Sequence, residues 1–144
     1  MYDAFSKKLK LAATASLLYF GTAHATDLVV EVDNVAVNSG RVLVSLFNKA
    51  DDFPRKGYWR GEAVAPTSKT VSVTFRDIPE GTYAVTAFHD VDGNGKLKTN
   101  GLGIPIEPLA FSNDAAPALD GPPKYSDASF KVSSPKMKIS LTLK

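Results

Sequence analysis

The chain is 144 residues long, 44% hydrophobic and 22% charged, with no cysteine, enough for one domain that buries its own core without disulfides. Its formal charge of +2 traces to Lys7, Lys8 and Lys10 against Asp3; beyond residue 25 stand 14 of the 17 basic and 14 of the 15 acidic residues. That balance removes the electrostatic case for nucleic acid or an anionic membrane as partner.

The first element is not part of the fold. Lys7, Lys8 and Lys10 precede an apolar run from Leu11 to Phe20, followed by the small-residue stretch Ala23-His24-Ala25. This is the three-part pattern of a secretory signal peptide over residues 1–25, cleaved after Ala25. The apolar run is about half the roughly 20 residues that a membrane span needs. The expected product is a mature domain of residues 26–144, periplasmic or secreted and not inserted in a membrane. Without cysteine in an oxidising compartment, its stability has to come from packing or a bound ion.

Along residues 26–144 the hydrophobic period is two. Leu28, Val30 and Val32 alternate with Val29, Glu31 and Asp33, and Val42, Val44 and Leu46 alternate with Leu43, Ser45 and Phe47. These read as two strands joined at the turn-forming Asn38-Ser39-Gly40. Val71, Val73 and Phe75 form a third strand that stops at Asp77-Ile78-Pro79-Glu80-Gly81, where proline presets one turn position and glycine is expected to supply a positive φ. Tyr83, Val85, Ala87 and His89 continue as a fourth. Phe130 and Val132 mark a short strand, and Met137, Ile139, Leu141 and Leu143 a last one. No window carries a 3.6-residue apolar repeat. The fold class expected is all-β, an antiparallel Greek-key sandwich; the segment from Phe75 to Val85 resembles the strand-turn-strand element of prealbumin-like and carboxypeptidase-regulatory-like sandwiches, which implies a prealbumin-like or immunoglobulin-like kind.

Two segments, residues 48–69 and 90–127, do not follow the strand pattern. Segments of that length inside a compact domain are often binding surfaces. The second is rich in Gly, Pro, Asn and Asp, with Leu97, Leu102, Ile104, Leu109, Phe111 and Tyr125 as apolar anchors.

That long loop opens with Asp90-Val91-Asp92-Gly93-Asn94-Gly95-Lys96-Leu97. Oxygens of Asp90, Asp92 and Asn94 at alternate positions, a glycine for the sharp turn and the Lys96 carbonyl match the first half of a calcium loop. Calcium is therefore the candidate cofactor, with Asp90, Asp92, Asn94 and Lys96 as candidate ligands. The twelfth position, where a bidentate Glu is expected, is Gly101. Missing ligands would come from Asn100, Glu107 or Asp114, and Lys96 and Lys98 add opposing charge. The alternative is a loop whose Asp and Asn side chains cap its own amides and hold no ion.

No catalytic residue is assigned. His89 is the one histidine after residue 25, so zinc and triad sites lack partners, and it reads as a strand-end residue hydrogen-bonded near the loop. Tyr58, Trp59 and Arg60, with Arg55 and Lys56, form an aromatic and basic cluster of the sort found at recognition surfaces. Its partner would be a protein or a glycan; the bland alternative is an aromatic lid over one end of the sandwich.

Several motifs together resemble a known family. They are Gly40-Arg41-Val42 with Phe47, Phe53-Pro54, Phe88-His89-Asp90, Gly93-Asn94-Gly95-Lys96-Leu97, Thr99-Asn100, Gly103-Ile104-Pro105, Glu107, Phe111-Ser112-Asn113, Gly121-Pro122-Pro123 and Asp127-Ala128 with Phe130. The string is similar to the domain-of-unknown-function family 2141 of exported bacterial proteins. The resemblance implies an exported β-sandwich without an established activity, in which Phe-Ser-Asn and Gly-Pro-Pro pin the long loop to the sandwich. The function expected is a non-enzymatic binding or accessory domain with a calcium-stabilised loop. The alternatives are a hydrolase of cell-envelope or extracellular polymers and a structural module of a surface assembly.

Overall fold

The computed structural model describes residues 25–144; the signal peptide expected over residues 1–25 lies outside the described residues except for Ala25. Eight strands are present: β1 (Thr26–Asp33), β2 (Arg41–Phe47), β3 (Arg60–Val64), β4 (Val71–Ile78), β5 (Gly81–Asp90), β6 (Leu109–Phe111), β7 (Phe130–Val132) and β8 (Lys136–Thr142). The one α-helix among the described residues is a single turn, α1 (Tyr125–Ala128). Two sheets pack face to face, β4-β1-β8 and β3-β2-β5-β6, with β7 on the other part of β5. The protein is an all-β sandwich.

Alternation explains the packing. Leu28, Val30 and Val32 of β1 and Val42, Val44 and Leu46 of β2 are wholly buried, as are Val85 of β5 and Leu143 just past β8. They meet Val71, Val73 and Phe75 of β4 in one core. Burying side chains of this size is worth about 1.5–3 kcal/mol each before chain entropy is subtracted.

Most neighbours are antiparallel, but β1 and β8 run parallel, in register from Asp27 opposite Lys136 to Asp33 opposite Thr142. The chain's last strand thus returns beside its first, placing Ile139 next to Val30 and Leu141 next to Val32. Asn34 Nδ2 fastens this end by donating to the Leu143 carbonyl at 2.8 Å.

β3 was not expected. Residues 60–64 are exposed or half-buried throughout, so they carry no apolar alternation, and the strand exists by pairing with β2 along the sheet edge. Inside segment 90–127 the chain likewise forms β6 and α1. The turn between β4 and β5 differs in detail from expectation. The positive φ, 54°, falls on Asp77 near the end of β4, whose N–H donates to Asp27 Oδ1, while a Cβ at Gly81 would crowd the Tyr83 ring at 3.3 Å.

β5 is buried on both faces at Tyr83, Ala84 and Val85. Tyr83 and Val85 face the main core, and Ala84 lies under a second cluster with Phe111 and Ala128. Phe53, from segment 48–59, completes that cluster, its ring edge-on to Phe47, Phe111 and Tyr125 at 5.4–6.0 Å between centroids. Both irregular segments are therefore clamped to the outer face of one sheet.

Candidate functional site

The acidic loop leaves the end of β5. Asp90 is 1% exposed, and its two oxygens accept from Asn94 N–H at 3.1 Å and Gly95 N–H at 2.7 Å. Asp92 Oδ1 also accepts from Asn94 N–H at 3.2 Å, and Asn94 Oδ1 accepts from Lys96 N–H at 2.7 Å. Gly93 and Gly95 take φ of 71° and 77°, the left-handed conformation such a curl requires. Desolvation pushes the Asp90 pKa up, but the Gly95 and Asn94 amides, helped by Asp92 and Gly93, outweigh it and hold the pKa below its ordinary value.

Glu107 comes back to this loop from just before β6. It is 7% exposed; Oε1 accepts from Val91 N–H at 2.9 Å and Oε2 from Lys98 N–H at 2.8 Å. One oxygen each of Asp90, Asp92 and Glu107 lie within 4.8 Å of one another. Of the three supplementary ligands expected from sequence, the fold brings in Glu107 alone. Asn100 Oδ1 instead accepts from Leu102 and Ile104 N–H, and Asp114 pairs with Lys144 at 2.5 Å. The donor set is oxygen-only, which suits a hard divalent cation. Lys98 Nζ stands 3.6 Å from Asp92 Oδ2, a position an incoming cation would contest.

Beyond Glu107's clamp, residues 98–106 form a small hairpin, with Ile106 N–H donating to the Lys98 carbonyl and Asn100 N–H to the Ile104 carbonyl, both at 2.9 Å. It does not anchor to the core. Leu102 is 85% exposed and Ile104 55%, contrary to the expectation that both are anchors; Leu109 and Phe111 do pack. The hairpin forms one wall of a groove of about 830 Å³ whose other wall is residues 117–122. Leu109 and Phe111 line it with Pro105, Pro117, Leu119 and Pro122, and Arg55 and Asp120 are its charged lining residues. Sequence reading did not find this groove, because aliphatic residues scattered through a loop look the same whether they anchor or protrude.

The family motif Phe111-Ser112-Asn113 acts as the expected pin. Ser112 Oγ, 1% exposed, accepts from Val85 N–H at 2.9 Å and donates to the Ala128 carbonyl at 2.5 Å. Asn113 Nδ2 donates to the carbonyls of Asp127 and Ser129, and Tyr125 Oη donates to the Thr82 carbonyl at 2.8 Å. Together they lock α1 and the groove's base onto β5. A model of uncharacterized proteins conserved in bacteria, DUF2141, matches residues 30–140. The chain belongs to the DUF2141 family. No curated protein and no solved structure matches it. In this DUF2141 chain the match spans the acidic loop, the hairpin and both walls of the groove.

The remaining candidates are placed as follows. His89 is 1% exposed, and its Nε2 lies 2.5 Å from the Ser39 carbonyl. The carbonyl accepts, so Nε2 carries the hydrogen, and Nδ1 is buried without a partner among the described residues. Trp59 lies 5.6 Å from the Tyr83 ring at 34°, with the Arg60 guanidinium 4.5 Å from its centroid. Arg60 Nη1 also donates to the Arg76 carbonyl at 2.5 Å. Burial pushes the Tyr83 phenol up, against the opposing charge of Arg60. Tyr58, 59% exposed, lays its ring against Gly61, where a Cβ would come within 2.6 Å. Arg60 and Tyr83 thus already engage Trp59, and Tyr58 is the more open aromatic. No helix among the described residues is long and apolar enough to cross a membrane.

Proposed function

We propose that this protein is an exported binding or accessory domain, of the periplasm or the medium, that takes apolar side chains of a partner protein into the groove between residues 98–106 and 117–122. The observation that carries this reading is the groove itself, lined by aliphatic, aromatic and proline side chains with Leu102 and Leu119 on its lips. Large aliphatic groups held in water are unfavourable by about 25 cal/mol per Å², and partner burial recovers that. Prolines and the Glu107 clamp hold the walls in place beforehand, reducing the ordering that binding costs. A glycoside hydrolase ordinarily needs a pair of acids across its cleft; Asp120 is the one carboxylate among the groove's described lining residues, which favours binding. A peptide-library selection on the immobilised protein, counter-selected with Ile104→Asp, tests the reading. Enrichment of peptides with aliphatic anchors that ignore the variant is expected, and selection of none would refute it.

A second reading concerns the clamp. We propose that calcium, at extracellular concentrations, binds the Asp90, Asp92 and Glu107 oxygens and stiffens the hairpin's base. The support is their convergence within 4.8 Å and the ionised state favoured at Asp90. Asn94 and Lys96 would contribute through the oxygens assigned them from sequence. An ion that binds the folded state raises the unfolding midpoint. Thermal unfolding in millimolar calcium against chelator should show a rise that Asp92→Ala abolishes; equal midpoints would dismiss the ion and leave the carboxylates as amide caps.

A further inference from the structure

The groove carries both halves of a self-complementary contact. Leu119 is fully exposed and Leu102 is 85% exposed, so each stands out as a knob. The hollow beside them is floored by Leu109 and Phe111. The rim adds one cation and one anion, Arg55 and Asp120, and neither is in an ion pair among the described residues. A surface holding knob, hollow, cation and anion meets its own complement when copied about a twofold axis, because in such an interface residue i of each copy faces residue j of the other.

Resting on the reading of the groove as a docking face, we infer that its partner is a second copy of this chain, the two associating through their grooves about a twofold axis. Leu119 of each copy enters the hollow of the other, and Arg55 of each faces Asp120 of the other, so the charge pair forms twice. Charge selects this partner over a lipid surface. The groove's charged lining residues are one Arg and one Asp, equal and opposite, where an anionic membrane calls for a surplus of cations. The carboxylate clamp has its own part: by accepting from the Lys98 N–H, Glu107 fixes the base of the hairpin wall.

Sedimentation velocity of the protein purified after expression from the full chain, from low micromolar to millimolar concentration, tests the inference. The mass is expected to rise toward twice that of the monomer. Leu119→Asp, at an exposed position, should keep the circular dichroism spectrum and raise the dimer dissociation constant at least about tenfold. Arg55→Asp and Asp120→Arg should each weaken the dimer about tenfold, and the double swap should restore it. That restoration is a result general misfolding cannot produce. A dimer indifferent to Leu119→Asp and to the charge swaps would overturn the inference. A protein monomeric throughout that still binds the selected peptides overturns it while leaving the docking reading intact; one that is monomeric and binds none overturns both.

Discussion

Glu107→Gln is the most incisive perturbation of the site, because it preserves shape and changes only what the side chain can accept. Each Glu107 oxygen receives one amide, from Val91 at 2.9 Å and from Lys98 at 2.8 Å. A glutamine has one oxygen, so one of these N–H groups must face an NH2 donor, and the surviving bond loses its charge assistance. Bonds to a charged acceptor are worth about 1.5–3 kcal/mol each. Val91 and Lys98 are exposed residues, so water recovers part of the loss once the loop opens, and a net cost of about 2 kcal/mol follows. For a domain of this size that is a fall of about 8 °C in the unfolding midpoint. The assay is paired: thermal unfolding for the global cost, and amide hydrogen exchange at Lys98 and Ile106 for the local one. Exchange at those two amides should accelerate more than at the Val44 amide in β2, since the hairpin can open without the core. A midpoint within about 1 °C of the parent with unchanged exchange at Lys98 would refute the claim that Glu107 holds the hairpin's base.

Other consequences are open to the same kind of measurement. Gly40→Ala should destabilise by at least about 2 kcal/mol in urea unfolding, because φ there is +60° and the new Cβ would fall 1.9 Å from the Asp90 carbonyl oxygen. Ser112→Ala removes the buried hydroxyl shared by Val85 N–H and the Ala128 carbonyl and should cost about 2 kcal/mol, with faster exchange in α1 and an intact main core. Asp90 sets an acid limit on the loop. Its pKa is held down in the folded state, so the unfolded chain takes up the proton first, and its contribution is complete above the ordinary value of 3.8 and is lost as pH falls through the lower folded value. A carboxyl carbon NMR titration should find Asp90 titrating below 3.8; a midpoint above that value would reverse the sign.

What the sequence made legible follows from what burial imposes on it. β1, β4 and β8 each bury one face, and β2 and β5 do so over most of their length, so each writes its apolar residues at every second position, as Leu28, Val30 and Val32 do. β3 buries neither face, and Arg60-Gly61-Glu62-Ala63-Val64 accordingly leaves no such mark. The parallel return of β8 to β1 is equally silent, because alternation records a face and says nothing of a neighbour. At the candidate site, Asp90 and Asp92 were legible because a curled loop selects acidic residues and glycine at fixed spacing. Glu107 was nameable only by nearness, since it reaches the loop across the hairpin. Leu102, Ile104 and Leu119 were the hardest to place: an aliphatic side chain in an irregular segment carries no sign of which way it points.

The parallel pairing of first and last strands also bears on the order in which the protein comes into being. β1 sits in the middle of its sheet, between β4 and β8, and the bond from Asn34 to Leu143 joins positions 109 apart in the chain. A chain still emerging from a ribosome holds β1 with one edge bare until residues 136–142 arrive to cover it. Contacts so distant in sequence form slowly. The same topology that closes the finished sandwich keeps the unfinished one loose.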